Sequence, residues 1–507
     1  MRTTTSSRGM PRPSATTRAA PRDLTQGPIP RTLAAFALPV LGANVLQSLN
    51  GSVNAIWIGN LLGEAALTAT SNANLVLFLL LGSVFGMAMA ATILVGQAVG
   101  ARDIARAKCV VGTGTTFFLA LSTLVAIAGG VLTPFILHAL GTPAAAFDFG
   151  VQYLRVIFIA VPVMNAFAFT MAVLRGAGDA RTPFLFMAVS VGLDIALNPL
   201  LIRGVGPVPP MGIAGSAMST LVAQVASLGL LLVLLHRRHH PLLPGRHELR
   251  HYRPRPALLR AIVVKGVPMG LQMIVISAAA LALMGLVNGF GVETAAAYGV
   301  AAQLWTYVQM PALAIGAAVS SMAAQNIGAN RWDRVGRIAG TGVAFNLALT
   351  GLLAALLYVA DRLVLGLFLP AGSPAIAIAV HINDVACWSF VLFGITIVLF
   401  GVVRAAGAVM PPLLVLVVSL LLVRVPFAWL MRERWGADAI WWSFPLAAAM
   451  SAALAFAYYR LGRWRQAGLV REEPATGTAA DTGVSAPSMD SEPLYEAAEP
   501  APARATP

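Results

Sequence analysis

Twelve apolar stretches, each long enough to cross a bilayer, follow one another between residues 33 and 459. They lie near 33–58, 69–96, 109–137, 152–173, 183–202, 213–235, 259–287, 296–324, 338–359, 376–402, 412–431 and 439–459. A hydrocarbon core about 30 Å thick takes about 20 helical residues to span. Inside it no water is available to backbone N–H and C=O groups, so a spanning segment must bond internally as a helix or join a closed barrel. Barrel strands run only about ten residues, which leaves helices. Composition agrees: 58% of the 507 residues are hydrophobic and 11% charged, where a soluble domain carries about 25% charged residues. The predicted fold class is an all-α polytopic membrane protein with twelve transmembrane helices.

The net charge of +14 could suggest a nucleic-acid partner, but its placement predicts none. Lys and Arg gather in loops on the cytoplasmic side of a membrane. One set of alternate loops holds Arg102, Arg106, Lys108, Arg175, Arg181, Arg237, Arg238, Arg246, Arg250, Arg253, Arg255, Arg260, Arg331, Arg334, Arg337 and Arg404. The opposite set holds Arg203, Arg362, Arg432 and Arg434. Sixteen against four supports twelve spans with both termini cytoplasmic. Residues 1–30 and 466–507 are polar and lack apolar periodicity, which predicts disordered tails. Two cysteines, Cys109 and Cys387, exclude a disulfide framework or a cysteine-rich metal site.

The chain repeats itself. Gly96-Gln97-Ala98-Val99-Gly100-Ala101 returns as Ala324-Gln325-Asn326-Ile327-Gly328-Ala329, 228 residues on. The turn from Leu174 to Pro183 returns from Val403 to Pro412, and Pro39 returns as Pro268, each 229 residues on. Constant offsets at independent landmarks mark a duplication. It gives an N-terminal six-helix lobe (31–235), a basic cytoplasmic linker (236–258) and a C-terminal six-helix lobe (259–465). An even number of helices per half makes the two pseudo-symmetric bundles a parallel repeat about an axis normal to the membrane.

Asp194 is the carboxylate farthest from either end of its span, with Asn198 one helical turn away on the same face. Ionisable residues at that depth are costly and face a pathway more often than lipid. A quiet structural pairing is the competing reading. The first span carries Asn44, Gln47, Asn50 and Asn54 within about 120° of arc, a face expected to look into the bundle beside Asp194. Ser216, Ser219, Thr220 and Gln224 in the sixth span have a spacing that also suits close helix packing. Asn165, and Gln303 with Tyr307 in the eighth span, are further cavity candidates. Arg424 is expected to reach one end of the eleventh span by snorkelling. No Gly-rich phosphate loop occurs, which excludes an ordinary nucleotide-driven pump. No nucleophile–base or metal constellation marks an enzyme, and no cofactor is expected.

These landmarks resemble the multidrug and toxic compound extrusion (MATE) family. The resemblance rests on Pro39, Gly59 and Gly63, on Gly96–Ala101, and on Leu174–Asp179 with Pro183. Asn198-Pro199-Leu200-Leu201-Ile202, Gly212–Ala217, Ala324–Ala329 and Arg424-Val425-Pro426 complete it. It covers about residues 30–465 and implies a two-lobed, V-shaped bundle in the bacterial plasma membrane. The implied activity is export of bulky, often cationic drug-like compounds against inward protons or sodium ions. The related pattern has an acid late in the first span, then Asn and Asp four residues apart in the fifth. Here Asn54 stands at the first place and the pair is exchanged, as Asp194 and Asn198. The resemblance thus assigns ion coupling to Asp194, Asn198 and Asn54, while the polar residues within the spans make Gln47, Asn50, Asn165, Thr220, Gln303 and Tyr307 the candidate substrate-binding residues. A monomer exchanging protons by alternating access is the leading expectation. A sodium-coupled antiporter or a lipid-linked precursor flippase are the alternatives.

Overall fold

A computed structural model describes residues 23–204, 209–243, 252–370 and 372–467. The N-terminal lobe comprises α1 (Ile29–Leu62), α2 (Glu64–Gly100), α3 (Ile104–Ala139), α4 (Ala144–Gly176), α5 (Arg181–Arg203) and α6 (Gly212–Arg237). The C-terminal lobe opens with α7 (Pro256–Asn288), α8 (Val292–Gly328) and α9 (Trp332–Leu365). Next is α10, in two pieces (Pro374–Ala386 and Ser389–Ala405) bent by 44°. α11 (Met410–Trp435) and α12 (Asp438–Leu461) complete it. Ten of these helices are long and apolar enough to span a membrane, and the bent α10 adds one more. α2, with 37 residues and an apolar second half, Val84–Gly100, completes twelve.

Two spans have internal breaks that periodicity did not announce. In α10 the ladder shifts at the bend, where Phe390 and Val391 donate to carbonyls three residues back. Ser389 Oγ takes the Ala386 carbonyl at 2.6 Å, a side chain inserted into the ladder in the way that bends helices. α11 widens to a π-helix over Val417–Arg424, just before Pro426, whose ring would crowd the carbonyl four residues back in a regular turn. Arg424, close enough to an end of its span to snorkel, lies with Cζ 3.5 Å from the ring centroid of Phe444, a packing contact that suits a structural role.

The duplication is visible in the backbone. Gly178 and Gly407 take φ of 95° and 96°, and Arg102 and Asn330 take 58° and 57°. The lobes share one apolar core at the end of the bundle that carries both described chain ends. There Met87 to Ala98 of α2 and Ala314 to Ala324 of α8 belong to one buried cluster. At the opposite end the cores separate. One holds Ala66, Leu137, Leu154 and Ile213 of the first lobe, the other Leu283, Trp305, Ile382 and Trp441 of the second. A core joined at one end and divided at the other is the physical content of the V shape.

Close approach at the joined end needs glycine. A Cβ on Gly100 would lie 2.0 Å from the Gln325 carbonyl oxygen, and one on Gly328 2.0 Å from that of Gln97. Gln97 Nε2 donates to the Ala405 carbonyl at 2.7 Å, and Gln325 Nε2 to that of Gly176 at 3.0 Å.

Residues 23–28, expected as tail, are ordered against the second lobe. Leu24 N donates to Gln325 Oε1 at 3.1 Å, and Asn326 Nδ2 to the Leu24 carbonyl at 3.2 Å. Arg331 and Arg334 donate to the carbonyls of Thr25 and Gly27 at 2.9 and 3.0 Å. The segment's backbone groups thus find partners in α8 and at the start of α9, which a solvated tail would not supply. Residues 1–22, 244–251 of the expected linker and 468–507 of the expected second tail lie outside the described residues.

Candidate functional site

In α5 a turn of helix sets Asp194 and Asn198 on one face, and that face packs between α1 and α6. Asp194 is 2% exposed and Asn198 fully buried. Burial of a carboxylate is tolerated only where donors replace water, and the neighbouring helices provide them. Asn50 Nδ2 and Asn54 Nδ2, one turn apart on α1, donate to Asp194 Oδ2 at 2.9 and 3.1 Å. From α6, Ser219 Oγ donates to Asp194 Oδ1 at 2.6 Å, and Thr220 Oγ1 lies 3.2 Å from both oxygens. The four side chains come from two helices and all present donors, the surroundings that a charged carboxylate uses.

Asn198 joins the same network one step removed. Its Nδ2 donates to Asn54 Oδ1 at 2.8 Å, while Asn54 donates onward to Asp194. Asn198, Asn54 and Asp194 form a directional chain, so the exchanged pair in α5 and the amide in α1 work as one unit. The far end of the chain is open, since Asn198 Oδ1 is buried without a partner among the described residues.

Beside Asp194 lies a cavity of about 60 Å³ lined by Gln47, Asn50, Met187, Ser190, Val191, Asp194, Thr220 and Gln224. Drug-sized sites take about 300–1,000 Å³, so this space suits water or a small ion. Asn50 Oδ1 and Gln224 Oε1, both on lining residues, are buried without partners among the described residues, which makes the cavity wall polar enough to hold water.

Of the residues singled out in sequence, Asp194, Asn198, Asn54, Gln47, Asn50 and Thr220 come together here. Asn165 does not line the cavity, although it is 2% exposed with Oδ1 unpartnered. Gln303 and Tyr307 belong to the other lobe, where both are exposed on the first half of α8. They do not join the Asp194 cluster. Sequence reasoning undervalued Ser219, whose hydroxyl makes the shortest bond to the carboxylate. Its signal was present, a hydroxyl beside the Ser216–Thr220–Gln224 row, but that spacing serves packing equally well.

Comparison with known proteins supports the same architecture from outside the chain. The MatE family model matches twice, over residues 39–200 and 268–430, once in each lobe. The Bacillus subtilis (strain 168) protein named probable multidrug resistance protein YoeA is 35% identical over 443 residues, covering 87% of this chain and 95% of its own. Probable multidrug resistance protein YpnP of the same organism is 32% identical over 457 residues, covering 89% and 99%. A solved structure described as the outward-facing conformation of a multidrug resistance MATE family transporter of the MOP superfamily superposes with a TM-score of 0.79. It is 20% identical and covers 86% of this chain and 96% of that one.

Proposed function

The chain belongs to the multidrug and toxic compound extrusion (MATE) family, and on that premise we propose that it exports bulky, cationic or amphipathic compounds by antiport with protons. It is a multi-pass membrane transporter, not an enzyme. In the proposed setting it lies in the bacterial plasma membrane as a monomer with both termini cytoplasmic. The joined end of the lobes then faces the cytoplasm, and the divided end faces out.

The observation that carries the coupling assignment is the donor shell of Asp194. Protonation of this carboxyl gives it a hydrogen of its own, and Oδ1 or Oδ2 must then give up at least one of the donors from Asn50, Asn54, Ser219 or Thr220. Those donors belong to α1 and α6, so proton binding changes the packing of three helices in the first lobe. The small polar cavity supplies a route for the proton. Deprotonation restores the charge, which can balance a cationic substrate in the space between the lobes. Alternating access follows if this repacking loosens the joined end, where Gln97 and Gln325 hold the lobes together.

A sodium ion needs several oxygen ligands around one centre. Asn50 and Asn54 instead turn nitrogen toward Asp194, an arrangement that favours the proton. Reconstitution in vesicles with separate pH and sodium gradients tests the choice. A pH gradient alone is expected to drive efflux of a cationic dye, and Asp194→Asn to abolish it. Efflux driven by sodium alone would overturn the proton assignment, and undiminished coupled efflux in Asp194→Asn would dismiss the site.

A further inference from the structure

A second buried carboxyl sits in the other lobe, and its surroundings are the opposite of those of Asp194. Asp361 lies one turn before the end of α9 and is 4% exposed. Asn383 Nδ2 of α10 donates to its Oδ1 at 2.7 Å. Oδ2 is buried and meets no hydrogen-bonding group among the described residues. Its walls are apolar: Leu357 and Leu365 one turn away on α9, and Ile382, Ala386 and Cys387 on α10, all belong to the core of that lobe.

Where one donor serves two carboxylate oxygens, the charged form is left with an uncompensated ion in an apolar wall. The neutral acid leaves at most one unsatisfied hydroxyl. A buried charge without a partner costs several times more than a buried neutral polar group, so the neutral acid is favoured. The titratable groups on the facing helix are Asp384, exposed beside Asn383, and Cys387, while Arg362 and His381 point to the exterior. Among the described residues no cation is paired with Asp361: Arg362 is exposed, and His381 is engaged with Asp438 at 2.8 Å.

We propose that Asp361 is a second proton-binding site, carried by the C-terminal lobe and exchanging with the medium at the divided end of the bundle. The structure also supplies what its charge acts on. Asn383 Oδ1 accepts from Trp305 Nε1 of α8 at 2.8 Å, so Asp361, Asn383 and Trp305 tie α9, α10 and α8 into one chain. Trp305 in turn packs on Phe390 and Phe444, with ring centroids 5.3 and 4.9 Å away. Loss of the proton calls for a second donor at Oδ2, and Asn383, already bonded to Oδ1, can supply it only by turning, at the expense of its bond to Trp305. The site stands on its own geometry, and it extends the proton-coupled reading of Asp194 without depending on it.

The test is pH-difference infrared spectroscopy of the full-length purified protein, following the carboxylic-acid C=O stretch and its shift in heavy water. Wild type is expected to show a titrating carboxyl band that Asp361→Asn removes and Asp361→Glu retains at a shifted position. Asp194→Asn should leave that band in place. An Asp361→Asn spectrum superimposable on wild type would overturn the proposal. A silent Asp194→Asn with a lost band in Asp361→Asn would instead fell the first-lobe proton site and leave this one standing. Asp361→Glu, which keeps a carboxyl in place, separates loss of the proton site from misfolding: a correctly folded Glu variant without a titrating band also counts against it.

Discussion

Gln97 and Gln325, 228 residues apart, make the same hydrogen bond into opposite lobes. Gln97 reaches from α2 to the carbonyl of Ala405, the last residue of α10, and Gln325 from α8 to that of Gly176, the last residue of α4. Each crossing is permitted by a glycine on the partner helix, Gly328 facing Gln97 and Gly100 facing Gln325. The joined end of the V is therefore a two-fold latch made from one repeated motif.

The latch predicts a matched pair of steric lesions. Gly100→Ala and Gly328→Ala each drive a methyl group into a backbone oxygen, which cannot rotate away. Each should lower stability by about 1–3 kcal/mol or more, the cost of overpacking. Gly351→Ala, with open space around its Cβ, should be neutral. Thermal unfolding in detergent measures all three, and a harmless Gly100→Ala would show that the lobes do not meet there.

Ser219→Ala removes the closest donor to Asp194 while keeping the helix. A hydrogen bond to a charged group contributes about 1.5–3 kcal/mol. Ser219→Ala should therefore lower the thermal unfolding midpoint in detergent and weaken dye efflux driven by a pH gradient. Unchanged efflux in the folded variant would place the hydroxyl in packing alone.

The ordered segment at residues 23–28 bridges the N-terminal chain to α8 and α9, so separating the lobes at that end must release it. Leu24→Cys with Asn326→Cys, in a background lacking Cys109 and Cys387, should be joined by a short reducible thiol cross-linker and lose transport until a reductant is added. The two residues are neighbours, Asn326 Nδ2 donating to the Leu24 carbonyl at 3.2 Å. Full transport by the cross-linked protein would remove the strap from the cycle.

His240 gives a pH prediction outside the membrane. Burial holds its pKa below the usual 6.5, against a smaller upward pull from Asp179. The neutral ring accepts from Leu242 N at 3.4 Å through Nδ1, a bond that protonation removes. A lowered folded-state value means the contribution is complete above about pH 6.5 and is lost as pH falls through the lower value. Amide exchange at residues 238–243, corrected for its intrinsic pH dependence, should hold steady above about pH 6.5 and accelerate as pH falls below it, and His240→Gln should abolish that dependence.

Much of the fold was legible in the chain because membrane spans obey a length rule and a loop-charge rule that need no tertiary knowledge. The offsets linking Gln97 to Gln325 and Arg175 to Arg404 marked the duplication, and packing of the two copies turns Gln97 and Gln325 into the latch. The bend in α10 was not legible, since it depends on a serine taking a carbonyl that most serines leave alone. The burial of Asp361 was not legible either. Sequence places it near the end of its span, and only the packing of α9 against α10 buries it.

Sequence by itself determined the number of helices, their duplication and the depth of Asp194 in its span, because each follows from apolar length and residue spacing along one chain. Tertiary structure alone decided which side chains meet. Helical periodicity shows that Asn50 and Asn54 share a face, and that Ser219 and Thr220 are neighbours. It carries no information on how α1 and α6 rotate about α5 so that all four donors converge on one carboxylate. Nor can it show that the second lobe buries its own acid with a single donor, since that contrast arises from packing between helices distant in sequence.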